Sequence, residues 1–247
     1  MIAADDDHGD GDPSHEDGAH ASRAFFGRRK GHKLRPHQAD LIDQLLPHLA
    51  LDIQAPPPDL SDLPSLFDPP TTELRLEIGF GGGEHLVAEA RAHPDSAFIG
   101  CEPYVNGMAK ILAQIEAHNV GNIRLFAGDA VELVAWLPPR ALARIDLIHP
   151  DPWPKRRHWK RRFVQDATIA AMARVLRPGG EFRFVSDIDD YCAWTLAHLL
   201  RSPDFVWTAE QASDWRRPWD GYTVTRYGQK AAREGRVAAY LRFRRVG

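Results

Sequence analysis

Leu76–Leu86 reads LEIGFGGGEHL. A short apolar run ends in glycines at 79, 81, 82 and 83, and a helical pattern starts at Glu84. Glycine takes positive φ without strain and lets backbone approach a ligand closely. In an open α/β sheet the first strand-to-helix turn lies at the strand carboxyl ends, where ligands bind. Outward from this turn, short apolar strands alternate with helical segments. Strands are expected at 74–80, 96–102, 122–129, 145–151, 181–187, 205–210 and 237–244. Helices are expected at 84–93, 104–118, 130–137, 161–176 and 190–200, with a turn at Pro178–Gly180. This alternation predicts a seven-stranded, mostly parallel sheet with helices on both faces. No obvious helix separates the last two strands, so an antiparallel edge pairing is expected there.

The N-terminal third differs in composition. Residues 1–22 hold seven acids and no Lys or Arg, so they read as a disordered acidic tail. Removing those seven acids takes the formal charge from −3 to +4, so the remainder is mildly basic. Residues 23–70 read as a basic arm, a helix near 39–49 and a connector with six prolines between Pro56 and Pro70. The arm at 23–37 carries six basic residues and either lies along RNA or simply leads into the fold. Residues 71–247 form the main domain. Clustered basic charge fits an anionic partner such as nucleic acid. Cys101 and Cys192 match no zinc spacing and offer no disulfide framework. No apolar run approaches the ~18 residues of a spanning helix, and no leader is evident. A soluble cytoplasmic protein with no membrane partner and no metal is expected, monomeric or homodimeric.

The glycine spacing narrows the ligand. A dinucleotide fingerprint places its third glycine at position 84; here that residue is Glu84 and the pattern is Gly79, Gly81, Gly83. A helix opening on a carboxylate also repels a pyrophosphate. The pattern resembles that of S-adenosylmethionine-dependent methyltransferases, whose cofactor carries no phosphate. Glu102 ends the second strand, where an acid accepts from ribose hydroxyls. Asp129 ends the third, within reach of an adenine edge. Glu77 either contacts the methionine amino group or is a satisfied buried carboxylate.

Ile145–Arg162, IDLIHPDPWPKRRHWKRR, supplies the second half of the site. A strand breaks at prolines around Asp151 and Trp153, then yields six basic residues in eight positions. Methyltransferases acting on nitrogen often carry Asp/Asn-Pro-Pro-aromatic at this strand end. Asp151-Pro152-Trp153-Pro154 is similar in logic and different in order. The alternative is a proline-stiffened turn with a packing tryptophan.

LEIGFGGGEHL, GCEPY, GDAVEL, HPDPWPKRRHWKRR, VSDIDDYCAW and GYTVTRYGQKAAREGR occur in that order. Over roughly residues 23–246 the chain resembles the bacterial tRNA (guanine-N7-)-methyltransferases. That resemblance implies a Rossmann-like class I methyltransferase fold. It implies methylation of N7 of the variable-loop guanine, position 46 of tRNA, from S-adenosylmethionine. It implies cofactor contacts at Glu77, Glu102, Asp129 and Asp151, beside Gly79, Gly81 and Gly83. tRNA or guanine contacts fall on Lys155, Asp187, Thr225, Arg226, Tyr227 and Gly228, with Asp151 and Asp187 orienting the base. Lys155–Arg162 and the arm at 28–35 would hold phosphates. The family usually has Thr-Lys-Tyr/Phe-Glu at the last segment; Gly228 lacks that carboxylate, and Asp220 or Glu234 are the candidate substitutes. An RNA-binding protein without catalysis, or a methyltransferase acting on another nucleic acid, are the alternatives.

Overall fold

A computed structural model describes residues 27, 29–57, 59–67 and 71–247. The acidic tail and the first part of the basic arm lie outside them. Seven strands form one sheet: β1 (Glu73–Ile78), β2 (Ser96–Cys101), β3 (Ile123–Phe126), β4 (Leu142–Ile148), β5 (Leu176–Ser186), β6 (Phe205–Trp207) and β7 (Ala239–Arg245). Their spatial order is β3-β2-β1-β4-β5-β7-β6. β1 to β5 pair in parallel, and β7 runs antiparallel to both β5 and β6. The expected antiparallel edge pairing is therefore present, with β7 inserted between β5 and β6.

The helices are α1 (Pro36–Gln44), α2 (Leu46–Leu49), α3 (Glu84–Ala92), α4 (Val105–His118), α5 (Ala130–Trp136), α6 (Asp166–Val175), α7 (Asp189–Leu200), α8 (Ser213–Arg216) and α9 (Arg226–Arg233). Several boundaries differ from the sequence reading, among them those of α6 and β5. α6 begins at Asp166, because Arg156–Arg161 form a 3-10 turn and Gln165 caps the helix. The Pro178–Gly180 turn is absorbed into β5, at an irregularity in its pairing with β4 between Leu142 and Arg144. Two helices, α8 and α9, occupy the expected helix-free stretch before β7.

Successive strand residues point to opposite faces. Ala97, Ile99 and Cys101 of β2 join the core beneath α5, α6 and α7, while Phe98 joins the core beneath α3 and α4. β1 and β4 are different: one face is apolar and the other is polar. Leu74, Leu76 and Ile78 enter the first core. Arg75 and Glu77 stand beside Arg144 and Asp146, their register partners on β4. Arg144 pairs with Asp146 at 2.7 Å and with Glu89 of α3, so the buried charges compensate one another. The connector is anchored as well. Leu63 and Phe67 are buried, and Ala50 bridges Leu125 at the outer strand.

Gly83 caps α3 at φ 84°, and a Cβ there would lie 2.6 Å from Ile111 Cγ1 on α4. Gly83→Ala combines backbone strain with overpacking and should cost about 2–4 kcal/mol. Denaturant unfolding measures this; a loss below about 1 kcal/mol would contradict the packing described.

Candidate active site

The carboxyl ends of β1 to β5 open onto one cleft of about 610 Å³. Gly79 and Gly81 line it at φ 71° and 59°. A Cβ on Gly79 would meet nothing within 4 Å, whereas one on Gly81 would lie 3.3 Å from Tyr227 Cε2. The turn thus presents bare backbone to the cleft on one side and the Tyr227 ring on the other. Gly83 does not line the cleft; its glycine serves the α3–α4 contact.

Glu102 follows β2 and is buried. Its Oε2 accepts from the Gly81 N–H at 2.8 Å and its Oε1 from the Tyr104 N–H at 3.0 Å. Burial pushes its carboxyl up, against those two hydrogen bonds. Asp129 caps α5: its Oδ1 accepts from the Val131 N–H at 2.9 Å. Both side chains line the cleft and retain unused lone pairs. Glu77 is placed elsewhere. It is buried beneath the turn, and His85 Nδ1 donates to its Oε2 at 2.7 Å. Burial alone would push His85 down, but the Glu77 carboxylate outweighs it and the imidazole is raised. The pair ties the end of β1 to the first turn of α3 under the glycines. Glu77 thus stands behind the cleft lining as a buried support for the glycine turn.

β4 ends at Ile148, earlier than expected, because Pro150, Pro152 and Pro154 have no N–H to give a ladder. His149 and Trp153 take φ of 49° and 44°, conformations that bulky residues rarely hold. Between them Asp151 faces the cleft, accessible from the mouth, and the surrounding walls push its carboxyl up. Asp187 follows β5. Its Oδ1 accepts from His149 Nδ1 at 3.1 Å and its Oδ2 from Arg236 Nε at 2.5 Å. Arg236 also pairs with Glu234. Burial opposes ionisation of Asp187, but these hydrogen bonds win and hold it low. His149, itself pushed down by burial, and Arg236 were missed in the sequence; both act across large separations that no local pattern records.

α9 forms the third wall. Arg226, Tyr227 and Lys230 line the cleft, and Tyr227 is about half exposed. The Arg226 guanidinium lies 4.8 Å from the Tyr227 ring. Thr225 is buried and caps α9, its Oγ1 accepting from the Gly228 N–H at 3.2 Å. Gly228 faces His149: a Cβ there would lie 3.2 Å from His149 Nε2 and 3.1 Å from Val224 Cγ1. Neither candidate substitute for the missing glutamate, Asp220 or Glu234, lines the cleft. Lys155, Arg156, Arg157 and Lys160 are exposed outside the cleft, and Arg161 lines it over the Trp153 ring at 5.0 Å. Arg162 is fully buried, so its expected phosphate contact is corrected. The arm is tied to α4: Arg29 C=O accepts from the Val105 N–H, and Asn106 bonds Gly31 and His32. Among the described residues no group of His, Cys, Asp and Glu suits a metal ion, and no helix is long and apolar enough to cross a membrane.

Asp187 is depressed in the folded state, so its network stabilises the fold above the unfolded carboxylate pKa of about 3.9. That contribution is lost as pH falls through the lower folded value. Arg236→Ala should raise the Asp187 titration seen by carboxylate NMR; an unmoved titration would remove Arg236 as its cause.

A family model described as "Putative methyltransferase" matches residues 71–241. A tRNA (guanine-N(7)-)-methyltransferase of Rhodopseudomonas palustris (strain BisB5) is 75% identical over 227 residues, 92% of this chain and 88% of that protein. One of Bradyrhizobium diazoefficiens is 74% identical over 95% of this chain and 97% of its own length. Among solved structures, a 16S rRNA (adenine(1408)-N(1))-methyltransferase from Catenulisporales acidiphilia aligns with a TM-score of 0.51 at 12% identity, covering 80% of this chain and 92% of that one, a likeness of fold. By its motifs, its fold and relatives matched over nearly their whole length, the chain belongs to the tRNA (guanine-N(7)-)-methyltransferase family.

Proposed function

We propose that this protein transfers a methyl group from S-adenosylmethionine to N7 of a guanine in tRNA, the variable-loop guanine at position 46. The observation that carries the reading is the convergence of Gly79, Gly81, Glu102, Asp129, Asp151 and Asp187 on one cleft. The residues present fit the cofactor. Gly79 and Gly81 leave a cradle that a side chain would fill, and Glu102 and Asp129 offer lone pairs for ribose hydroxyls and the adenine edge. S-adenosylmethionine, when bound, supplies a methyl group already activated on a sulfonium.

The work left to the protein is alignment. Guanine N7 bears a free lone pair at neutral pH, so no base is needed to expose it. Pre-organised alignment supplies about 7–11 kcal/mol in favourable systems. Asp151 and Asp187 accept from the N1 and N2 hydrogens of guanine and stabilise the positive charge that develops on the methylated purine. Tyr227 and Trp153 stack on the base, worth about 1–3 kcal/mol. Thr225 sets the start of α9, and Lys155, Arg156, Arg157, Lys160 and Arg161 meet the tRNA backbone. No covalent nucleophile is required. Burial pushes the Cys101 thiol well up and the Cys192 thiol to about 12, so neither offers a thiolate. A cytoplasmic enzyme, monomeric or homodimeric, belongs to the same reading.

Incubation of unmodified tRNA with the protein and labelled cofactor should place N7-methylguanine in the variable loop. Label at another position, or none, would contradict the substrate assignment. Asp151→Asn and Asp187→Asn should each slow single-turnover transfer by about 10²-fold. Wild-type rates in both variants would remove the two carboxylates from the mechanism. Affinity for tRNA should fall steeply between 50 mM and 200 mM salt, as counterion release requires; an affinity independent of salt would exclude the basic run as the backbone contact.

A further inference from the structure

Arg162 closes the basic run, yet it is 0% exposed. Its Nε donates to the Pro152 carbonyl at 3.0 Å. Its guanidinium pairs with Asp190 in the first turn of α7. The Trp159 and Tyr191 rings lie 4.9 Å from it and the Trp194 ring 5.2 Å. The cage is itself fixed, because Trp194 Nε1 donates to the Val164 carbonyl at 2.7 Å and Tyr191 Oη accepts from the Phe163 N–H at 3.1 Å. A buried cation held by a carboxylate and three aromatic faces is an anchored group.

Pro152 lies between Asp151 and Trp153. The segment includes two non-glycine residues at positive φ, His149 and Trp153, which cost of order 1–3 kcal/mol each and persist only where the surroundings hold them. Its prolines cannot donate to the sheet. Arg162 provides the hold from beneath, at the carbonyl next to the carboxylate assigned to guanine.

We propose that Arg162 is a positioning residue for methyl transfer: it fixes the Asp151–Trp153 segment in the cleft wall and does not touch tRNA. The proposal rests on the assignment of Asp151 above. It divides the basic run by task. Lys155, Arg156, Arg157 and Lys160 face solvent, Arg161 faces the cleft, and Arg162 faces the interior. A planar guanidinium donates to the carbonyl and the carboxylate together, which an ammonium does not reproduce in the same geometry.

The test uses full-length Arg162→Lys, Arg162→Gln and Asp190→Asn, with Asp151→Asn and Lys155→Gln in parallel. Single-turnover rate at saturating tRNA and S-adenosylmethionine, tRNA Kd across a salt series, and thermal unfolding are measured for each. Misplacement by about 1 Å costs on the order of 10²-fold in rate. Arg162→Gln should therefore lose about 30- to 100-fold in rate, with tRNA Kd within about 3-fold and an unchanged salt slope. Arg162→Lys should fall between it and wild type, and Asp190→Asn should lose about 3- to 10-fold. Lys155→Gln should instead weaken tRNA binding and lower the salt slope by about 0.7–0.9. A lower salt slope with a normal saturated rate in the Arg162 variants would make Arg162 a phosphate contact and overturn the proposal, as would an unchanged rate and Kd. If Arg162→Gln does not fold, Asp190→Asn and Arg162→Lys decide, and wild-type rates in both overturn it. A slow Asp151→Asn beside fast Arg162 variants defeats this proposal alone; a fast Asp151→Asn defeats the Asp151 assignment beneath it.

Discussion

The chain must leave the central strand β1, reverse over bare glycine backbone and start a helix within a few residues. The buried pair of Glu77 and His85 makes that possible, joining the end of β1 to the first turn of α3 at 2.7 Å. Above it, the Gly81 N–H is taken by Glu102 and the Gly81 carbonyl is pressed by Gly107 of α4, where any Cβ would lie 2.4 Å away. The turn is thus gripped from three elements. Its shape is fixed before any ligand arrives, which lowers the ordering cost of binding. The same layer explains why β1 and β4 carry charges on one face: Arg144, Asp146 and Glu89 extend the pair into a compensated network rather than an apolar core.

The parallel order then determines what the turn meets. β2 and β4 flank β1, so the acids after β2 and β3 lie on one side of the turn and Asp151 and Asp187 on the other. α9 covers the top, with Tyr227 against Gly81. Gly228, where the family usually carries glutamate, leaves room for His149, whose ring holds Asp187 from below while Arg236, itself paired with Glu234, holds it from the side. In this chain the C-terminal wall contributes an aromatic ring and cations, and the carboxylates come from the strand ends.

The glycine turn and the acids at 102, 129, 151 and 187 were legible because each sits at a strand end, and strand ends follow from local apolar runs and glycine or proline breaks. Glu77 was legible as an acid of the first strand, and the fold adds the partner, because only folding brings His85 back onto it. Arg162 was read wrongly for a physical reason: composition cannot tell which member of a cationic run folds inward, and its cage draws Tyr191 and Trp194 from another helix. α9 was invisible because its only buried side chain is Ala231, so no apolar stripe marks it. The insertion of β7 between β5 and β6 is a choice of long-range pairing that neither strand encodes alone.

The central claim is that one preformed cleft joins the glycine turn to the acids after β2 and β3. Hydrogen exchange on the full-length protein with and without S-adenosylhomocysteine tests it directly. The account predicts protection of the 79–83, 102–104 and 129–131 backbone together, with little change at the opposite, amino-terminal ends of the strands. Protection confined to one of these turns, or centred elsewhere on the sheet, would contradict it.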